Sequence, residues 1–222
     1  DLHYPLRRQR QMCIRDRFGS AFSSPVRAKI GKRDQIVVQT RMELAGVSPH
    51  DGKVIWKTPV KAFRGMNILT PTIIKDKVFT STYGGGTFWY GVATQGNKQD
   101  VSYLWQHKVQ GYMSSPVVID NHVYMHLRNQ RFTCIDLETG KDTWTTESFG
   151  KYWSLVTNGK QILALDERGE LLLIKANPNK FELIESRKIA DAETWAHLGI
   201  SDHELFVREL NAMAVYRWKD SP

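Results

Sequence analysis

Cysteine is scarce in this sequence, with Cys13 and Cys134 the only two among 222 residues. No Cys-x-x-Cys pair occurs, which removes the usual signature of thioredoxin-type and zinc-ribbon sites. No Gly-x-Ser-x-Gly elbow marks a serine hydrolase. No apolar run approaches the roughly 20 residues that a membrane-crossing helix needs, so we predict no membrane span.

The first seventeen residues, DLHYPLRRQRQMCIRDR, lack the apolar core of a secretory signal. They resemble the translation of a sequencing-library adapter, and we interpret residues 1–17 as an artefact of metagenomic origin that belongs to no domain. Their five Arg and two Asp supply +3 of the formal +8. The remaining charge is ordinary for a globular protein, so we predict no nucleic-acid partner. Their removal leaves Cys134 alone, without an internal disulfide partner.

The most informative stretch is Cys134 to Trp144, which reads as two short strands and a turn. Polar and apolar residues alternate before the turn, as in a half-buried strand. Gly140 stands where a tight turn usually needs positive φ, which a residue with a Cβ adopts only at a cost. The return strand ends at Trp144, a large apolar ring with one N–H donor.

Parts of this pattern recur along the chain. Three apolar segments open with a proline, Pro25, Pro71 and Pro116, spaced by 46 and 45 residues. A repeat period in the forties with four short strands per unit is the signature of an all-β propeller with four-stranded antiparallel blades. The repeat anchors are Gly52, Trp56, Trp105, Asp136, Thr139, Gly140 and Trp144.

These anchors resemble the Ala-x-Asp … Thr-Gly-x-x-x-Trp repeat of the pyrroloquinoline-quinone-like (PQQ-like) β-propeller family. Cys134 stands at the alanine position of the motif. The resemblance covers residues 18–222, which we divide into about five blades, at about 22–66, 67–113, 114–153, 154–197 and 198–222. Because relatives close rings of seven or eight blades, the resemblance implies that the chain is a fragment, and the adapter interpretation of residues 1–17 implies that its true N-terminus is missing.

Three local details are also predicted. Gln95 to Asp100 is polar and reads as an inserted surface loop. Phe181 to Ile184 reads as the outer strand of the fourth blade. That blade lacks a closing tryptophan, and Ile189 is predicted to fill its layer.

Two patterns suggest chemistry without supporting it. His122 and His126 stand four apart but on a strand, which separates them by roughly 13 Å, too far for one metal ion. Gly84-Gly85-Gly86 precedes neither a helix pattern nor Gly-Lys-Ser/Thr, so a hairpin tip is favoured over a phosphate cradle. We therefore predict no catalytic, cofactor-binding or metal-ligating residues.

Aromatic, basic and polar residues recur just before each innermost strand. In a propeller these positions surround one mouth of the central channel. There they could stack on a flat ligand, bind a peptide, or only plug the channel and pack between blades. The candidate mouth residues are Arg64, Asn67, Tyr112, Tyr152, Trp153, Trp195 and His197.

Family resemblance implies two alternative functions. One is a non-catalytic scaffold for protein or ligand binding, like the propeller lipoprotein of the bacterial outer-membrane barrel-assembly machinery. It would be periplasmic or otherwise extracytoplasmic, with an unidentified protein partner and no cofactor. The alternative is a fragment of a quinoprotein alcohol or sugar dehydrogenase that uses PQQ and calcium. The scaffold is favoured because no adjacent cysteines and no calcium-binding set can be matched, although missing blades could hold an active site.

Overall fold

The computed structural model describes residues 21–218, so the interpretation of residues 1–17 lies outside the described residues. The described chain is all-β, with one 3₁₀ turn at Phe63–Gly65 and no α-helix. No helix in this part of the chain is long and apolar enough to cross a membrane.

The chain divides into two compact units. The first comprises the described residues up to Gly85 together with Tyr90–Tyr103, and the second comprises Gly86–Trp89 and the chain from Leu104 onward. The boundary crosses the two long strands of the second sheet.

The first sheet lies wholly in the first unit and is a simple antiparallel meander. Its second strand alternates buried and half-buried residues, with Gln35, Val37 and Gln39 on the buried face. Two of these three are amides, so the buried face of this strand is partly polar. The strands are β1 (Val26–Ile30), β2 (Arg33–Gln39), β3 (Glu43–Val47) and β4 (Val54–Pro59).

The second sheet has the order β5-β6-β7-β8 and corrects one prediction. Gln95 to Asp100 is not an inserted loop, because the strands continue to a two-residue turn at Gly96-Asn97. Gly96 has φ +58°, as the first central residue of a type II′ hairpin turn requires. The strands are β5 (Thr72–Ile74), β6 (Lys77–Thr82), β7 (Gly86–Gln95) and β8 (Lys98–His107).

The third sheet contains the stretch from Cys134 to Trp144. Its outer pair is irregular just where Cys134 faces Trp144, since the register shifts between Cys134 and Ile135. Cys134 is fully buried, and burial raises the pKa of its thiol. The strands are β9 (Val117–Ile119), β10 (His122–His126), β11 (Arg131–Asp136) and β12 (Asp142–Ser148).

The fourth and fifth sheets continue the meander. The outer strand of the fourth sheet begins at Leu183, later than predicted, because the Phe181 ring packs into the core before the strand starts. The fifth sheet has three strands within the described residues. The strands are β13 (Ser154–Thr157), β14 (Gln161–Leu165), β15 (Glu170–Lys175), β16 (Leu183–Lys188), β17 (Gly199–Ser201), β18 (Glu204–Arg208) and β19 (Met213–Arg217).

The turn before Trp144 has the geometry that the sequence predicts. Gly140 has φ +71°, and the Asp136 carboxylate accepts the backbone N–H groups of Glu138 and Thr139 at 2.8 and 2.7 Å. The bond from the Thr139 N–H is the main reason why the pKa of Asp136 lies below its usual range. A Cβ on Gly140 would stand 2.7 Å from the Trp105 ring. Glycine is thus favoured at position 140 both by the positive φ and by the close approach of the Trp105 ring.

The repeated tryptophans tie one sheet to the next. Trp105 Nε1 donates to Leu137 O at 2.8 Å, and Trp144 Nε1 donates to Asn177 O at 2.9 Å. Trp56 uses a relay instead, because its Nε1 donates to Gln35 Oε1 at 2.5 Å. Gln35 Nε2 in turn donates to Gln99 Oε1 at 3.1 Å.

The fourth sheet has no equivalent ring. Trp56 and Trp144 both pair with the residue just before a register shift, and in the fourth sheet that place belongs to Glu185, opposite Leu173. Glu185 is exposed and pairs with Arg187. Ile189, predicted to fill this layer, follows the strand and packs against the cluster of Leu165, Leu198, Leu205 and Val207 between the fourth and fifth sheets.

Two seams join neighbouring sheets within the second unit. The aromatic seam joins the third and fourth sheets and includes Tyr124, Phe132, Trp144, Phe149, Trp153 and Phe181. The aliphatic seam joins the fourth and fifth sheets and includes Leu165, Ile189, Leu198, Leu205 and Val207. These consecutive four-stranded meanders, with their packed junctions, have the architecture of β-propeller blades.

Candidate functional site

Three of the candidate mouth residues form a row of rings, here called the aromatic row. The ring centroids of Tyr112 and Tyr152 are 6.0 Å apart, and those of Tyr152 and Trp195 are 4.5 Å apart. Each ring comes from a different linker that leads into β9, β13 or β17. Trp195 is 48% exposed and both tyrosines are half-buried. The row therefore presents a continuous aromatic surface that remains accessible.

The middle ring of the row is held by a strained backbone. Tyr152 has φ +55°, in the left-handed region that a large side chain rarely adopts. This conformation costs roughly 1–2 kcal/mol relative to an ordinary one. Such strain persists only where the surroundings enforce it, and it concentrates at functional sites.

The surroundings that enforce this strain include the next residue. Trp153 is 1% exposed and belongs to the aromatic seam, so it points away from the surface. It packs on Phe132 and Phe149 at centroid distances of 5.0 and 5.5 Å. Trp153 was predicted at the mouth, but its ring is core and cannot touch a ligand there. It anchors the linker that displays Tyr152.

His126 completes the support behind Trp153. The two rings stack at 5.0 Å with an interplanar angle of 23°. The imidazole Nε2 lies 2.9 Å from Gly150 O, so a proton on Nε2 satisfies this carbonyl. Burial lowers the pKa of His126 to about 4. The ring is therefore neutral at ordinary pH.

The far end of the row is fixed by polar contacts. Trp195 Nε1 donates to Glu193 Oε2 at 2.9 Å. His197, an exposed candidate, places Nδ1 3.3 Å from Ser154 Oγ, which also accepts the Leu198 N–H at 3.0 Å. His197 thus lies beside the inner strand that follows Trp153. It adds an imidazole ring near the row without belonging to it.

The other two candidates lie in the first unit. Asn67 is fully buried, and its side-chain amide donates to Thr40 O at 2.6 Å. As a buried side chain it holds a turn there. Arg64 is exposed with φ +52°, and its guanidinium lies 5.1 Å from the Phe63 ring centre. Arg64 is displayed much as Tyr152 is, on the equivalent linker.

Sequence reasoning missed the residues that hold the row in place. Phe149 was not singled out, His126 was weighed only as a metal ligand, and Phe181 only as the start of a strand, although all three pack in or against the aromatic seam. The only signal in the sequence was the local excess of aromatic residues around Trp144.

The described residues contain no group of three or more His, Cys, Asp or Glu side chains placed to hold a metal ion. His122 contacts Asp120 O at 2.8 Å, whereas His126 faces Gly150. Cys134 has no second cysteine beside it. This donor set does not fit the calcium and quinone that the quinoprotein alternative requires.

A family model described as outer membrane protein assembly factor BamB matches residues 14–146. That is more than half of the chain. The chain belongs to the BamB family. No curated protein matches it.

Solved structures share the fold of this BamB-family chain. The crystal structure of BamB from Moraxella catarrhalis is 15% identical with a TM-score of 0.69, covering 90% of this chain and 59% of that one. The computationally designed Ika8 protein is 11% identical with a TM-score of 0.62, covering 83% and 55%. The β-propeller domain of Myceliophteria thermophila Cps50 (Swd1) is 11% identical with a TM-score of 0.55, covering 92% and 72%. The chain therefore has the β-propeller fold, and it spans 59% of the length of the Moraxella protein.

Proposed function

We propose that this chain is a non-catalytic binding scaffold of bacterial origin that works in the periplasm and recruits a protein partner through the aromatic row. The observation that carries the proposal is the row itself. Tyr112, Tyr152 and Trp195 come from three successive linkers and stand side by side. Exposed aromatic rings that are held rigid are the usual anchors of protein interfaces.

The strain at Tyr152 supports binding over simple plugging. A ring needed only to fill space could sit on an unstrained residue, since the core behind it is already closed by Trp153. Here the chain keeps a left-handed tyrosine between two further rings. Preorganisation of this kind lowers the entropy lost when a partner docks.

The location and the type of partner rest on family membership. The matching family is described as an outer membrane protein assembly factor, which supports a periplasmic site of action and a component of outer-membrane protein assembly as partner. Both are proposals, since the chain covers 59% of the Moraxella BamB structure.

The test is site-specific photo-crosslinking in a bacterial periplasm. A photoreactive phenylalanine analogue replaces Tyr112 or Trp195 in turn, and adducts are identified by mass spectrometry. The control places the same analogue at Lys160, an exposed residue in the turn between β13 and β14. We expect one protein adduct from the row and none from the control. Identical adducts at all three positions would contradict the proposal.

A strain-relieving variant separates binding from folding. Tyr152→Gly removes the ring and suits the left-handed backbone, so the fold should survive while the adducts at Trp195 disappear. A parallel incubation with pyrroloquinoline quinone and Ca²⁺ addresses the enzyme alternative. Stoichiometric quinone uptake with alcohol- or sugar-dependent dye reduction would overturn the scaffold proposal.

A further inference from the structure

A second feature opens beside the aromatic row, in the same unit. It is a cavity of about 530 Å³, here called the Leu127 pocket. This volume lies within the range of pockets that hold small ligands or side chains. Its lining is Lys108, Val109, Gln110, Leu127, Arg128 and Asn129.

The walls of the Leu127 pocket are held by backbone hydrogen bonds. Arg128 N donates to Gln110 O at 2.8 Å, and Gly111 forms an isolated bridge with Leu127. The Val109 carbonyl accepts from Thr87 Oγ1 at 2.8 Å, and the Val109 N–H donates to His107 Nδ1 at 3.1 Å. The pocket is therefore formed before any ligand arrives.

The chemistry of the lining is one-sided. Val109 and Leu127 supply apolar surface, and Lys108 and Arg128 are exposed cations. Gln110 and Asn129 carry amides that can donate or accept hydrogen bonds. No residue of the lining is acidic. A ligand with an apolar group next to a negative charge would match both the apolar surface and the positive charge of this lining.

The Leu127 pocket lies on the linker that also carries the first ring of the row. Gln110 is two residues before Tyr112, and Gly111 between them is pinned to Leu127. The pocket and the first ring of the row are therefore carried by the same short linker.

We propose that the Leu127 pocket binds an apolar side chain followed by a carboxylate, on an extended segment of the protein partner. The apolar side chain contacts Val109 and Leu127, and the carboxylate faces Lys108 and Arg128. Arginine suits this role because its planar guanidinium can bind a carboxylate through two parallel hydrogen bonds. The proposal rests on the proposed function and names the chemistry of the segment that the scaffold recognises.

The experiment measures fluorescence anisotropy of three end-capped peptides with a neutral dye. All three contain a central phenylalanine in a Gly/Ser background, followed by Glu, Gln or Lys. We expect the Glu peptide to bind at least tenfold more tightly than the Gln peptide, and added salt to weaken it. Equal affinity for all three peptides, or no binding of any up to millimolar concentration, would overturn the proposal.

Charge reversal makes the test specific to the pocket. Arg128→Glu should invert the preference, so that the Lys peptide binds more tightly than the Glu peptide. The matched control is Lys160→Glu, which makes the same reversal in a different turn and should leave the preference unchanged. Circular dichroism and melting of both variants show that they fold. An unchanged preference in Arg128→Glu would contradict the assignment.

The outcome is separable from that of the crosslinking experiment. If the row crosslinks to a partner while the peptides ignore charge, the pocket assignment fails and the scaffold proposal stands. If neither the row nor the pocket binds, both fail.

Discussion

The two seams of the second unit join neighbouring sheets by different means. The aromatic seam is built from large rings in defined pairs, such as Trp144 with Phe181 at 5.7 Å, and Trp144 closes it by donating to Asn177 O. The aliphatic seam has Leu and Val at its buried centre, and Tyr216 closes it by donating to Ile189 O. In both seams a side-chain donor bonds a backbone carbonyl of the neighbouring sheet. The donor belongs to the earlier sheet in the aromatic seam and to the later sheet in the aliphatic seam.

The difference shows what the repeat motif provides. In the aromatic seam the motif tryptophan reaches forward to the next sheet. In the aliphatic seam that position is Glu185, and the next sheet reaches back through Tyr216. Both junctions thus have a hydrogen bond from a side chain to the backbone of the neighbouring sheet, but only one of them uses the motif tryptophan.

Truncation of a central side chain should reveal the largest difference in stability between the two seams. Trp153→Ala should lower the free energy of unfolding by roughly 3–5 kcal/mol, because a large cavity remains among rings that cannot collapse. Leu205→Ala, at the centre of the aliphatic seam, should cost about 2–3 kcal/mol. Urea unfolding measures both. Equal losses would break the distinction between the seams.

Acid should weaken the aromatic seam selectively. Burial lowers the folded-state pKa of His126 to about 4, whereas an unfolded histidine titrates near 6.5. Since the folded pKa is depressed, the stability is fully present above about pH 6.5 and is lost as pH falls toward 4, by about 3 kcal/mol.

The measurement for this effect is unfolding free energy against pH. His126→Phe keeps a ring beside Trp153 and removes the titration, so its profile should be flatter between pH 7 and 4. A variant profile as steep as that of the parent would show that other groups cause the acid sensitivity.

Two glycines test how tightly the motif turn meets its neighbour. Gly140 and Gly159 both have positive φ, but a Cβ at Gly159 meets nothing within 4 Å. Gly159→Ala should therefore cost about 1 kcal/mol, from the backbone alone. Gly140→Ala should cost about 2–3 kcal/mol, because the new methyl group also displaces the Trp105 ring. Thermal melts of the pair measure the difference, and matching shifts would mean that the ring gives way freely.

The smallest expected effect concerns the missing tryptophan. Glu185→Trp restores the motif residue in the fourth sheet, yet it should change stability by no more than about 0.5 kcal/mol, as for other exposed surface positions. Tyr216→Phe, which removes the hydroxyl that donates to Ile189 O, is the comparison variant and should lower the free energy of unfolding by about 1 kcal/mol. A clear gain from Glu185→Trp would show that the aliphatic seam has room for the motif ring.

The sequence predicts the sheets well because the motif acts locally. Gly140, Asp136 and Thr139 form one turn within five residues, so their roles can be read from spacing alone. The β-propeller fold is confirmed by the family and by the solved structures. The identity of a closing residue such as Tyr216 could not be predicted, since it depends on a contact between sheets.

The candidate site was predictable only in part. Tyr152 and Trp153 are neighbours of similar chemistry, yet one is displayed and the other is core, and nothing in their spacing distinguishes them. Asn67 resembles a surface amide until its bond to Thr40 O is seen. The Leu127 pocket joins segments almost twenty residues apart through backbone bonds, which leave no mark on the sequence. The role of the mouth residues in binding stays a prediction.

The rate at which the buried thiol of Cys134 is alkylated can report the opening of the third sheet. Because it is fully buried in the cluster between the third and fourth sheets and its pKa is raised by burial, we expect it to react with an alkylating reagent only when this packing opens. In a Cys13→Ser background, the labelling rate therefore reports how often this one blade opens while the rest of the chain stays folded. A partner docked on the aromatic row should slow that labelling rate. Binding at the surface could therefore be measured through the reactivity of a buried cysteine.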